Sequence, residues 1–209
     1  MNLDRAYRLL ALFYSVLLLI GVIALLAGGG TPLALAHLGI GALGVLGLWG
    51  YTLGRGFMNP RMWRPLAGVL AVGSLVQLWA VLSMPLSGEL LTWMLASAIF
   101  SALLAVILYR YGDRDQALWA SPEELAGAER LEALLEGQAP LVAERHEDGR
   151  EASVRVVKAG SEYRASVTRR HEGRQEAFEE HFRHPATLVF FLEKFAGVSV
   201  GDFRGPDAA

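Results

Sequence analysis

The stretch LLALFYSVLLLIGVIALLAGGGTPLALAHLGIGALGVLGLWGYTLG, Leu9 to Gly54, runs for 46 residues without an Asp, Glu, Lys or Arg. A helix needs about 20 apolar residues to cross the hydrocarbon core of a bilayer. A run of this length therefore holds two spans, broken at Gly28-Gly29-Gly30-Thr31-Pro32. Thirteen Leu, Ile, Val or Phe lie between Leu9 and Leu26. At roughly −0.3 to −0.6 kcal/mol each, they favour insertion by roughly 5 kcal/mol, with no charge opposing them. Two further charge-free runs follow, Pro65 to Gly88 with 24 residues and Leu90 to Tyr109 with 20. The pattern predicts four spans at about 9–27, 33–54, 65–85 and 89–110, a membrane all-α four-helix bundle over residues 1–112. One such helix could be the buried core of a soluble protein; four in succession with such short links could not.

The same stretch contains Gly39-Ile40-Gly41-Ala42-Leu43-Gly44, a literal match to the dinucleotide fingerprint G-x-G-x-x-G. That fingerprint works only after a strand and at the start of a helix, with an acid about 20 residues on for the ribose. Here the glycines lie inside a helical pattern, and the next acid after Gly44 is Glu89, 45 residues on. Nucleotide binding is excluded, and no cofactor is expected. The glycines belong to a longer series at 39, 41, 44, 47, 50 and 54. At 100° per residue all but Gly41 fall within an arc of about 140°. Gly39, Gly44, Gly47, Gly50 and Gly54 thus form a shallow groove for close helix packing, as small residues do in membranes. The expected partners are Ser97, Ser101 and Ala105 in span 4, or Ala67, Ala71 and Ser74 in span 3. An oligomer contact is the alternative use of the groove.

Orientation follows from arginine placement. Arg5 and Arg8 precede span 1, Arg55, Arg61 and Arg64 separate spans 2 and 3, and Arg110 and Arg114 follow span 4. The opposite loops, 28–32 and 85–88, carry no Lys or Arg. Both termini are expected on the cytoplasmic side of a bacterial inner membrane, with membrane lipid as the surrounding medium. Arg5, Arg8 and the A-x-A sequence Ala34-Leu35-Ala36 raise the question of a cleavable signal. The apolar run is longer than the usual signal core, and cleavage after Ala36 would trim span 2, so the first helix is expected to remain a span.

Charge divides the chain. Residues 1–112 carry a net charge of +4 and residues 113–209 a net charge of −6, which together make the −2 of the whole. The absence of cysteine excludes disulfides, thiolate nucleophiles and Cys-ligated metals. Polar residues inside spans are the usual pointers to function. His37, Gln77 and Glu89 are the candidates, and all three cluster towards the outer side. A proton or ion path needs such groups through the full depth, so transport by this chain alone is the lesser reading.

Residues 113–209 read as a small cytoplasmic α+β domain, an antiparallel β-meander with helices. Ser121-Pro122-Glu123-Glu124 is a capping box that opens a helix over about 122–136. Leu141–His146 begins the extended segments, and Asp148-Gly149 is a hairpin signal. Alternation in Ala152–Val156 and Tyr163–Thr168, then Ala177–Phe182, predicts three or four strands. Leu188, Phe191, Leu192 and Phe195 repeat at helical spacing in a last helix over 185–196, stopped at Gly197.

His146-Glu147 and His171-Glu172 begin like H-E-x-x-H, but Arg150 and Gln175 stand where the second histidine belongs. His181-Phe182-Arg183-His184 makes His181 and His184 metal candidates, although positions three apart on a strand face opposite sides. Surface histidines are the expected reading, with no metal. No carboxylate pair stands in an apolar setting that would separate an acid from a base, and no nucleophile motif occurs, so no catalytic residue is expected. Arg164, Arg169, Arg170 and Arg174 form a basic group in a net acidic domain, which argues against nucleic acid. The expected function is a non-catalytic membrane protein whose cytoplasmic domain binds a partner protein or another copy of itself. Such a protein would serve as a complex subunit, an assembly or regulatory factor, or a toxin-immunity protein. A channel or transporter component, and a membrane-anchored enzyme or small-ligand sensor, are the alternatives.

Overall fold

The computed structural model describes residues 3–28, 30–137, 140–147, 150–171 and 174–203. The chain divides into two compact units, Met1–Asp113 and Arg114–Ala209.

The first unit consists of four helices, α1 (Leu3–Gly28), α2 (Pro32–Leu53), α3 (Pro60–Ser83) and α4 (Gly88–Tyr111). Each is long and apolar enough to cross a membrane. Their ends are set by local chemistry. The Thr31 side chain accepts the Ala34 N–H at 3.2 Å at the start of α2, and Gly54 closes that helix at φ 63°. A left-handed residue at this position is the usual role of glycine. Asn59 accepts from the Arg61 N–H at 3.0 Å and Pro60 takes the first helical position of α3. Helix α3 therefore starts five residues before the expected boundary at 65. The charge-free run marks the apolar part of a helix, whereas the cap marks its start, so Arg61 and Arg64 lie in the first turns and Pro65 lies inside the helix. Ser87 caps α4 through the Leu90 N–H at 3.4 Å, and Glu89 sits in its first turn, where the helix dipole favours an anion. Of the glycines in the α1–α2 break, Gly29 lies outside the described residues.

Side-chain hydrogen bonds tie these helices together. Trp49 Nε1 donates to Ser15 Oγ at 3.0 Å, joining α2 to α1. The Tyr14 hydroxyl donates to the Phe100 carbonyl at 2.6 Å, joining α1 to α4. Ser74 Oγ donates to the Ala98 carbonyl at 2.8 Å, joining α3 to α4 where Ala67, Ser74, Ala98 and Ala105 are all buried. These small residues let the two backbones approach without a clash.

In the second unit, α5 (Pro122–Gly137) precedes strands β1 (Leu141–Glu147), β2 (Arg150–Ala159), β3 (Glu162–His171) and β4 (Arg174–Phe182), and α6 (Pro185–Phe191) follows. The expected capping box forms at α5: Glu124 N–H donates to Ser121 Oγ at 3.1 Å, and Ser121 N–H donates to the Glu124 carboxylate at 3.0 Å. The strands pair antiparallel in the order β1-β2-β3-β4. Leu141, Val156 and Ala165 share one row and Ala143, Val154 and Val167 the next. These rows, with Leu131 and Leu135 of α5 and Leu188 and Val189 of α6, make the core. The hairpin signal Asp148-Gly149 and the turn residues Glu172-Gly173 lie outside the described residues. Gly160 turns β2 into β3 at φ 66°.

The last helix departs from a single α-helix. It keeps α geometry to Phe191, then makes one π-turn over Leu192–Ala196 before Gly197 ends it at φ 69°. The wider turn re-phases the side chains, so Leu192 stays buried while Phe195 is half exposed at 50%. The chain entering the unit is fastened at this helix: the Asp115 carboxylate accepts the backbone N–H groups of Arg183 and His184 at 2.7 and 3.1 Å. The neighbouring Arg114 guanidinium lies 4.1 Å over the Phe190 ring and donates to Glu124 at 3.1 Å.

Candidate functional site

The glycines of α2 divide into two groups by what faces them. Gly44, Gly47 and Gly50 are buried. A Cβ on Gly44 would come within 2.7 Å of Leu104, and one on Gly47 within 2.5 Å of Leu108 and 2.6 Å of Trp63. One on Gly50 would lie 2.8 Å from Phe57 and against the Tyr111 hydroxyl. Large side chains of α4 and α3 therefore fill the groove, in place of the small-residue rows expected to face it. Ser74 of α3 instead packs on Ala98 of α4. Gly39 has nothing within 4 Å of its missing Cβ, and Gly54 is the left-handed cap. At the end of the seam the Tyr111 hydroxyl donates to the Arg55 carbonyl and accepts the Phe57 N–H, both at 2.7 Å. Trp63 Nε1 donates to the Phe57 carbonyl at 3.0 Å.

Towards the other end of α2 the groove is not filled. A cavity of about 840 Å³ opens there, lined by residues of α1, α2, α3 and α4. Its extent on α2 runs from Ala34 to Val45, about 16 Å at the helical rise. Small residues contribute to its lining: Gly21 on α1, Gly41 on α2, and Ala96, Ser97 and Ser101 on α4. A Cβ on Gly41 would meet only Leu18, at 3.8 Å. Val45, Leu70 and Leu104 line the end nearest the glycine seam, and Gly28, Gly30 and Thr31 line the other.

The cavity brings together two of the three polar residues singled out by sequence. His37 and Gln77 both line it, and Glu89 does not. His37 Nδ1 lies 2.9 Å from the Leu33 carbonyl. That carbonyl can only accept, so the contact is a hydrogen bond in the tautomer with the proton on Nδ1, which leaves Nε2 as an acceptor. The Gln77 Oε1 atom is buried and meets no hydrogen-bond donor among the described residues. No Asp, Glu, Lys or Arg lines the cavity among the described residues.

No family model, no curated protein and no solved structure matches the chain.

In the second unit, His181 and His184 stand in different surroundings. The His181 ring lies beside Glu179 at 3.2 Å and Glu162 at 4.0 Å on the open face of the sheet, with Arg164 also on Glu179 at 3.1 Å. His184 caps α6, with its backbone N–H held by Asp115. No group of three His, Asp or Glu able to hold a metal forms among the described residues. The side chains of His146 and His171 lie outside the described residues.

An aromatic cluster reaches the surface of this unit. Phe178 of β4 and Phe195 of the π-turn are 36% and 50% exposed, and both touch Phe191, with ring centroids 6.2 and 5.9 Å away. The Arg169 guanidinium lies 5.6 Å over the Phe178 ring. Sequence periodicity assigns Phe195 to the buried face of a continuous helix; in the π-turn it stands half exposed against Phe191, which Phe178 also touches.

Proposed function

We propose that this chain is a multi-pass protein of a bacterial inner membrane, with both termini in the cytoplasm, whose α+β unit docks a partner protein rather than carrying out chemistry. The aromatic corner Phe178–Phe191–Phe195 with Arg169 carries this reading. Exposed aromatic rings flanked by arginine are the composition enriched at the energetic centres of protein interfaces. The four apolar helices, and the arginines gathered at the start of α1, the α2–α3 link with the first turns of α3, and the end of α4, support the membrane placement and its sense.

A photo-crosslinking residue placed at Phe195 in the full chain, in native membranes, tests the docking reading. A discrete adduct is expected at 195 and none at Leu125, which is comparably exposed at 44% on α5. An adduct at the mass of two chains identifies the partner as a second copy. Equal labelling at both positions, or none at 195, refutes the docking site. Reporter fusions at Ala209 that are active only outside the cytoplasm would overturn the orientation.

A further inference from the structure

The cavity in the first unit has the features of a built binding site for an apolar molecule with a neutral polar end. Its volume, about 840 Å³, lies in the range of small-molecule pockets. Its walls are mainly aliphatic and aromatic, and its polar groups are few. One of these, Gln77 Oε1, is an acceptor buried without a donor among the described residues, and another, the exposed His37, offers Nε2 as an acceptor in the tautomer that bonds Leu33 through Nδ1. A buried acceptor without a donor costs free energy, and a ligand hydroxyl would remove that cost. A carboxylate or phosphate would find no cation, since no Lys or Arg lines the cavity among the described residues, and an unpaired charge in such a place is expensive.

We propose that this cavity binds a neutral, hydroxyl-bearing single-chain lipid, of the monoacylglycerol type. Its hydroxyls donate to Gln77 Oε1 and His37 Nε2, and its chain runs towards Val45, Leu70 and Leu104. The site is independent of the docking surface on the α+β unit.

The test uses the full chain purified in detergent, with radiolabelled monooleoylglycerol as the probe and unlabelled monooleoylglycerol, methyl oleate, oleate and a phosphatidylcholine as competitors. Saturable binding at one molecule per chain is expected. Unlabelled monooleoylglycerol should compete at least tenfold better than methyl oleate, which has the same chain and no donor. Gln77→Leu should bring the two competitors within about threefold of each other. This variant removes an unmatched acceptor, so folding is preserved. Gly41→Leu, which grows a side chain into the cavity, should abolish binding. The proposal fails if binding is not saturable, or if methyl oleate competes equally in the unsubstituted protein. It fails equally if oleate or the phospholipid competes best, if Gln77→Leu keeps the discrimination, or if Gly41→Leu binds normally.

Discussion

Alanine substitution along α2 gives a graded test of the glycine seam, because the same chemical change meets different neighbours at each position. At Gly47 the new Cβ would sit 2.5 Å from Leu108 and 2.6 Å from Trp63. Both are buried, Leu108 at 0% and Trp63 at 2% exposure, so neither can swing away into solvent. Overpacking of a filled core costs about 1–3 kcal/mol, and two rigid contacts place this case near the upper value. Alanine recovers about 1 kcal/mol of helix propensity over glycine. The net loss for Gly47→Ala is about 2 kcal/mol. At 2–4 °C per kcal/mol for a chain of this size, the thermal midpoint should fall by about 4–8 °C. Gly44→Ala should lose less, because its close neighbour is the end of a single leucine, Leu104, at 2.7 Å. Gly50→Ala should lose most, since it displaces the Tyr111 hydroxyl from its two hydrogen bonds. Gly39→Ala meets nothing within 4 Å and should leave the midpoint unchanged or raise it by about 2–4 °C. The assay is thermal unfolding of the purified full chain in one detergent, followed by intrinsic fluorescence. Equal losses at Gly39 and Gly47, or no loss at Gly47, would refute the seam.

Three further outcomes follow from single contacts. Tyr111→Phe leaves the Phe57 N–H and Arg55 carbonyl without their partner, costing about 1–3 kcal/mol, and should speed tryptic cleavage after Arg55; an unchanged rate would show that the tyrosine does not hold the loop. Ser121→Ala removes the cap from α5 at a cost of about 1 kcal/mol, read as faster hydrogen exchange at the Glu124 amide with the rest of α5 less affected. Burial, with the Glu132 carboxylate that accepts its hydroxyl proton and nearby Glu136, pushes the Tyr163 phenol up from 10.0 to about 12. The folded state thus favours the neutral ring, a contribution fully present below pH 10 and lost as pH rises through about 12. The stability difference between the unsubstituted protein and Tyr163→Phe should shrink over that window, and a difference that stays flat would count against it.

Long-range neighbours separate what sequence could show from what it could not. The absence of charge from Leu9 to Gly54 and the alternation in β2 and β3 are local signals, and the helices and strands follow them. The start of α3 was legible too, in Asn59-Pro60, but the charge pattern hid it. Gly39 and Gly47 look alike in sequence, and only the positions of Leu108 and Trp63 make one a packed contact and the other an open position. His37 and Gln77 stood out as polar residues in apolar runs. That they line a single cavity, together with small residues from α1, α2 and α4, is something no single segment records. Phe195 of the aromatic corner stands in a π-turn, and periodicity assumes that the α-helical phase continues.

Tyr111 joins the end of the fourth helix to a loop made long before it. Its hydroxyl partners, Arg55 and Phe57, precede it by 56 and 54 residues. At 5–20 residues per second, translation reaches Tyr111 about 3–11 s after Arg55. Through that interval the α2–α3 loop has no tyrosine to bind, Gly50 has no ring against it, and Gly47 faces Trp63 without Leu108. The first three helices are therefore a provisional assembly during synthesis. The last residue of α4 is the latch that closes them, and a chaperone acting on the nascent chain would have those seconds in which to work.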